Sequence, residues 1–242
     1  MLAGCMAAGE LLVELRGVTK DYRGLRPLRI QHLEIREGES IALLGIDAAM
    51  SEVLVNLITG AQLPDDGQVT VFGRPTTSIT DVDDWVAALD RFGLISERAV
   101  LVERFTTEQN LALPLSLEIE DMPESLRLEV GRLASEVGLT TEELSLPTAA
   151  LGAAAQLRLR VGRALALRPR VLLAEHPNAS LTRDELPRFA KDFARITSHR
   201  RLASLLTTVD ASFANSAAGR VLEFQPATGV LKSMSSLRRW FL

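Results

Sequence analysis

Ser40-Ile-Ala-Leu-Leu44 is a short run without alternation, apolar from Ile41 onward, and Gly45 stops it. A run of that kind reads as a strand buried on both faces of a sheet. Apolar side chains then recur at Val53, Leu54, Leu57 and Ile58, the stripe of a helix over 51–59. A buried strand, a glycine-led loop and a helix make half of a βαβ unit. Once a chain commits to that unit, a parallel sheet covered by helices is the economical way to bury it.

The rest of the chain keeps the alternation. Strand patterns occupy 11–16, 28–35, 68–72, 171–174 and 203–208, with Pro64-Asp-Asp-Gly67 and Gly73-Arg-Pro75 as turn signals. Residues 124–137 form an amphipathic helix with Leu126, Val130, Leu133 and Val137 on one face, and helices are also predicted at 153–167 and 184–196. The expectation is an α/β domain with a mainly parallel core sheet.

Composition removes several function classes. The chain of 242 residues is 47% hydrophobic and 24% charged, too apolar for disorder. Its net charge of -4 lacks the basic footprint of a general nucleic-acid binder, so no nucleic-acid partner is expected. No apolar run approaches the roughly 20 residues of a bilayer-spanning helix. The single cysteine, Cys5, excludes an intrachain disulfide framework and fits a reducing compartment. The opening Met-Leu-Ala-Gly-Cys is like a lipoprotein cleavage box, but no charged and apolar stretch precedes it, and lipidation of Cys5 is not expected. The only lysines are Lys20, Lys191 and Lys232.

In order and spacing, residues from about 11 to 222 resemble the nucleotide-binding subunit of ABC transporters. Gly45 and Gly60 stand fifteen residues apart, as the glycines that open and close that family's phosphate loop and helix do. Tyr22, 23 residues before Gly45, matches its adenine-stacking aromatic. Gly93-Leu-Ile-Ser-Glu97 matches the strand that ends at the Q-loop glutamine, and Phe105 to Pro114 follows at the usual distance. Leu151-Gly152-Ala153-Ala154-Ala155-Gln156 matches the signature segment. Arg168 to Leu181 resembles the Walker B strand with its D-loop, and Leu205 to Asp210 the switch-histidine segment. The resemblance implies a P-loop NTPase (ABC ATPase-like) α/β core with a parallel sheet, an antiparallel β subdomain and a helical subdomain. It divides the chain into 11–92 with 156–231 as the core, 93–155 as the Q-loop and helical signature subdomain, and 232–242 as a tail.

The same resemblance shows what the reactive positions have become. Ser51 stands where the phosphate-binding lysine belongs and Glu52 where a hydroxyl would hold magnesium; Ala48 and Met50 replace loop glycines. Glu97 replaces the glutamine, Glu175 the metal-directed aspartate, His176 the general-base glutamate, Val209 the switch histidine and Gly152 the signature serine. With Asp47 and Glu52, residues 45–52 carry two negative charges and no cation. A carboxylate about 5 Å from a phosphate oxygen repels it by roughly 3 kcal/mol at an effective dielectric of about 20. No catalytic residue is intact, no metal is expected, and ATP with magnesium is expected only weakly or through a partner. The backbone N–H groups of 152–154 still open a helix and can attract a phosphate bound by that partner.

The implied partners are an integral membrane permease, received by residues 93–150, and a second ATP-binding subunit, a heterodimer being favoured over a homodimer. The implied location is cytoplasmic, peripheral on the inner face of the cell membrane. The stretch Asn110-Leu-Ala-Leu-Pro-Leu115 is similar to that of subunits serving lipid transport. Two other readings stand beside this one: a regulatory or scaffolding protein using the same fold, and an unconventional weak ATPase working through Glu175 and His176.

Several residues have plainer readings. Tyr22 is expected to pack at a strand edge rather than stack on adenine. Ser51 has no histidine near it in the motif and is not expected to be a nucleophile. Glu175 with His176 offers too few ligands for a metal. His32 and His199 are expected at the surface. Arg158, Arg160, Arg163, Arg168 and Arg170 are expected to form a solvated face paired with acids rather than an anion patch. The tail Leu237-Arg-Arg-Trp-Phe-Leu242 is apolar and basic, suited to docking on the domain or to touching a membrane partner or lipid.

Overall fold

The computed structural model describes residues 9–234; Cys5 and the 237–242 tail lie outside the described residues. Strands β1 (Leu11–Lys20) and β2 (Leu28–Arg36) pair antiparallel, with Val13 opposite Ile35, Leu15 opposite Leu33 and Val18 opposite Ile30. These six side chains are buried on one face, so each cross-strand pair adds to the core. β1 runs four residues beyond the predicted Arg16. Gly17, at φ +59, sits in a bulge where the register against the neighbouring strand shifts, and the bulge breaks the alternation without ending the strand.

β3 (Ser40–Leu44) leads into helix α1 (Ala48–Ile58), which starts three residues before the predicted stripe because Asp47 caps it. β4 (Asp66–Val71) returns to β1, and β5 (Arg74–Pro75) closes a four-stranded antiparallel sheet in the order β2-β1-β4-β5. Helix α2 (Val82–Leu89), unmarked in the sequence pattern, has no buried residue. After β6 (Phe92–Ile95) come the short helices α3 (Thr107–Ala112) and α5 (Thr141–Ser145), each opened by a capping box, on either side of α4 (Glu124–Val137). α4 has the predicted bounds, ended by Gly138 in the left-handed region at φ +80. Then come α6 (Ala153–Ala166), β7 (Val171–Glu175), α7 (Leu186–His199), β8 (Ala203–Thr208), α8 (Ala211–Ala217), β9 (Arg220–Gln225) and β10 (Val230–Ser233).

Six strands form the central sheet in the order β10-β9-β3-β8-β7-β6, parallel except for the β10 edge. Alternation along its strands splits the core in two. Ile41, Leu43, Leu173 and Leu205 pack with the antiparallel sheet and α1, while Ala42, Leu172, Ala174 and Leu206 pack with the helices of the other layer. Glu136 of α4 and Arg200 form two hydrogen bonds of 2.7 and 2.6 Å, and Arg200 also donates to the Leu165 carbonyl near the end of α6 at 3.0 Å. Among the described residues no helix is long and apolar enough to cross a membrane.

Candidate functional site

Parallel strands deliver the loops that leave their C-terminal ends to one edge of the sheet. Gly45 comes after β3, Ser96 to Arg98 come after β6, Glu175 and His176 close β7, and Val209 with Asp210 come after β8. Four segments singled out in the sequence therefore meet although they are far apart in the chain.

Gly45 holds φ +90 and donates its N–H to the Thr208 carbonyl at 3.0 Å, turning the chain toward α1. Asp47 has extended backbone, and its carboxylate accepts the Met50 N–H at 2.8 Å. The helix N-terminus, with its partial positive charge, thus carries an anion of its own. Ala48 and Ala49 are exposed and Met50 is half-buried. Ser51 is fully buried, and its hydroxyl shares a 2.7 Å hydrogen bond with that of Thr207 on β8. Thr207 also accepts the His176 N–H at 3.2 Å, so one hydroxyl pair ties α1 to the ends of β7 and β8. The side chain at the lysine position points into the fold.

Glu52 and Glu175 converge on a residue outside the sequence-derived set. Arg98 donates from Nε to Glu175 Oε2 at 3.1 Å, from Nη2 to Glu175 Oε1, and from Nη1 to Glu52 Oε1 at 3.0 Å. Ser96 adds a 2.6 Å hydrogen bond to Glu175 Oε2. Pairing with Glu175 raises the Arg98 pKa above its usual value; burial opposes this, and the charges of Glu175 and Glu52 reinforce it. Of the two negative charges counted along 45–52, that of Glu52 is accordingly answered from another loop. Arg98 stands beside Glu97 in the sequence, but nothing local tells which acids it meets.

The remaining candidates are dispersed. Glu97 is exposed on the same loop, and Val209 is 70% exposed, an apolar side chain with nothing to donate. His176 adopts φ +43; its Nε2 is buried and has no hydrogen-bond partner among the described residues. Tyr22 lies beside the loop, half-buried, its ring against the backbone of Gly24. Desolvation first, and the charge of Asp47 second, raise its pKa. Leu151 is buried, Gly152 and Ala153 are exposed, Ala154 is half-buried and Ala155 buried at the start of α6. Gly152 is the N-cap and no side chain caps the helix. Among the described residues no hydrogen bond or ion pair joins 151–155 to 45–52.

The arginines divide. Arg168 and Arg170 pair with Glu129 and Glu10, as a solvated face would. Arg163 instead donates to the Val100 carbonyl at 2.7 Å, and burial, aided by the charge of Arg160, lowers its pKa. His32 and His199 are at the surface. The cluster among the described residues with metal-like spacing is Glu14, His32 and Glu34, not Glu175 with His176. Its carboxylates are already bound by Arg16 and Arg36.

A family model described as ABC transporter matches residues 28–179. The chain belongs to the ABC transporter family. It is 30% identical over 176 residues to the methionine import ATP-binding protein MetN of Brucella abortus, an alignment covering 72% of this chain and 47% of that one. It is 27% identical over 200 residues to the ABC transporter ATP-binding protein YtrE of Bacillus subtilis, covering 83% of this chain and 84% of the relative. Against MetN, the chain aligns with about half of the relative's length. The structure of cbiO1 from Clostridium perfringens, described as part of the ABC transporter complex cbiONQ, superposes with a TM-score of 0.78 at 16% identity. That superposition covers 96% of this chain and 91% of the other. The architecture is thus the α/β P-loop NTPase fold of ABC cassettes, as the motif spacing leads one to expect.

Proposed function

We propose that this chain is an ABC transporter subunit that has kept the cassette and given up hydrolysis at its own phosphate loop. The observation that carries the reading is Asp47, whose carboxylate occupies the α1 N-terminus at 2.8 Å from the Met50 nitrogen. A polyphosphate seated there would displace an anion that belongs to the protein and meet its repulsion. The other residues agree. No lysine is present in the loop, Ser51 is turned onto Thr207, and Arg98 already engages the two carboxylates that a magnesium ion would need. The residues present therefore do not fit a magnesium-bound triphosphate.

In this reading residues 11–92 with 156–231 are the core, 93–155 the Q-loop and helical signature subdomain, and 93–150 the part that meets an integral membrane permease on the cytoplasmic face. Supporting this are a cleft of about 180 Å³ lined by Leu94, Leu101, Pro114, Arg160, Arg163 and Leu167, and the exposed side chains of Val100 and Leu117. The uncapped start of α6, Gly152 to Ala154, faces an intact ATP-binding subunit and completes that subunit's site. A heterodimer follows from the division of labour: one chain brings the loop, this one the signature end. Asn110, which opens the stretch similar to lipid-transport subunits, is fully buried, and its amide binds the Val102 backbone and Thr148. That stretch has a folding explanation, and the proposal names no cargo.

The test is a titration of the purified chain with fluorescent ATP and magnesium, with phosphate release read in the same samples. No saturable binding below about 1 mM and no turnover are expected. Micromolar affinity, or turnover lost in His176→Ala, would replace this reading with the unconventional ATPase. Co-purification without any integral membrane protein would favour the scaffold instead.

A further inference from the structure

Glu175 presents a side chain only 9% exposed at the end of β7, and Glu52 approaches it from α1. A carboxylate buried to that degree needs a counter-charge, and a second carboxylate beside it deepens the need. We propose that Arg98 is a tethered cation that takes the place of a metal between Glu52 and Glu175 and thereby pins the 96–105 segment to the α/β core without nucleotide. This rests on the reading that the loop does not take magnesium and triphosphate.

The guanidinium suits the task. It is planar and permanently charged, and its fork matches two carboxylates where a lysine would offer a single point charge. Nε and Nη2 address Glu175 while Nη1 addresses Glu52, so one side chain bridges residues from two separate elements. The loop itself is shaped to present it. The Arg98 N–H donates to Ser96 Oγ at 3.1 Å, the Ala99 N–H to the Ser96 carbonyl at 3.1 Å, and Ser96 Oγ in turn donates to Glu175. Further along, Arg163 holds the Val100 carbonyl and Asn110 holds Val102 through both its N–H and its carbonyl. The Thr148 N–H donates to the Phe105 carbonyl at 3.0 Å and the Ala149 N–H to the Glu103 carbonyl at 3.4 Å. The segment is thus anchored at 98, 100, 102, 103 and 105, and among the described residues only Arg98 ties it to the phosphate-loop helix. Removing Arg98 would detach the loop from α1 and leave Glu52 and Glu175 convergent without a counter-charge, Glu175 keeping only the Ser96 hydrogen bond, which is a donor set for a hard divalent ion.

The probe is Mn²⁺ alone, followed by electron paramagnetic resonance, with hydrogen exchange of residues 96–105 measured on the full chain. The native protein is expected to bind no Mn²⁺ below about 1 mM, and Arg98→Met to bind one ion at least about tenfold more tightly, a gain abolished by adding Glu52→Gln. Exchange in 96–105 is expected to quicken by about tenfold or more in Arg98→Met and to slow again when Mn²⁺ saturates the variant. Tight Mn²⁺ binding by the native chain, or unchanged exchange in Arg98→Met, would overturn the proposal. Should Arg98→Met fail to fold, Glu52→Gln tests the same bridge from its exposed end: exchange in 96–105 should quicken by about threefold, and no change would overturn it. Turnover of magnesium-ATP by the native chain would instead sink the functional reading, and it is read from phosphate release, a separate signal.

Discussion

Helices α1 and α6 begin in opposite ways. α1 opens on Asp47, whose carboxylate takes the Met50 N–H of the first turn, and its position 51 side chain is buried against β8. α6 opens on Gly152 with no side-chain cap and no acid in its first turn, followed by three alanines. Both N-termini carry the same partial positive charge, yet one is neutralised from within and the other is left bare. The contrast teaches where an anion from outside can still be received. In the proposed reading the phosphate-loop end is closed by the chain's own carboxylates and Arg98, whereas the α6 end is left open to a neighbour.

The contrast can be attacked through stability. The largest effect should come from the support under α6. Glu136→Ala removes both hydrogen bonds from Arg200, the residue that also holds the Leu165 carbonyl, and should cost roughly 2–3 kcal/mol in urea unfolding. The same carboxyl has a lowered pKa, first through its hydrogen bonds from Arg200 and against the opposing effect of burial. The folded form therefore takes up its proton at lower pH than the unfolded one. Its stabilisation is complete above the ordinary carboxylate range and fades as pH falls through it, so between about pH 5 and pH 3 the native protein should lose more stability than Glu136→Gln.

Next in size is the closed end. Asp47→Ala should cost about 1 kcal/mol by thermal or urea melts, whereas Asp47→Asn should keep the cap at almost no cost. If Asp47→Asn also leaves ATP affinity unchanged, the carboxylate is not what closes the loop. The smallest effect should have the opposite sign. Gly152 has extended backbone and open space where a side chain would go, so Gly152→Asp should stabilise by about 0.5 kcal/mol while lowering turnover of an intact partner in a reconstituted pair. Unaltered partner turnover would show that this N-terminus faces no phosphate.

Much of the scaffold was legible because periodicity is local. The bounds of α4 and β8 come from apolar spacing, and the parallel core comes from alternating strand and helix patterns. The bulge at Gly17 hid four residues of β1, since a bulge breaks the very alternation by which strands are read. α2 gave no signal because none of its residues is buried, so no apolar stripe was needed. At the site, the sequence gathered Ser51, Glu52, Glu175 and His176 by their order, but it presented Ser51 as a lost lysine rather than as the partner of Thr207.

By itself, then, the sequence determined the family, the order of the principal strands and helices and the absence of a lysine from the phosphate loop, all of which are written in neighbouring residues. Only the tertiary structure decided that Arg98 answers Glu52, 46 residues away, and Glu175, 77 residues away. It alone set the hydroxyl of Ser51 against that of Thr207, across 156 residues. Turns and periods depend on backbone geometry over a few residues, whereas an ion pair depends on which strands lie side by side. That order is fixed when the whole sheet closes.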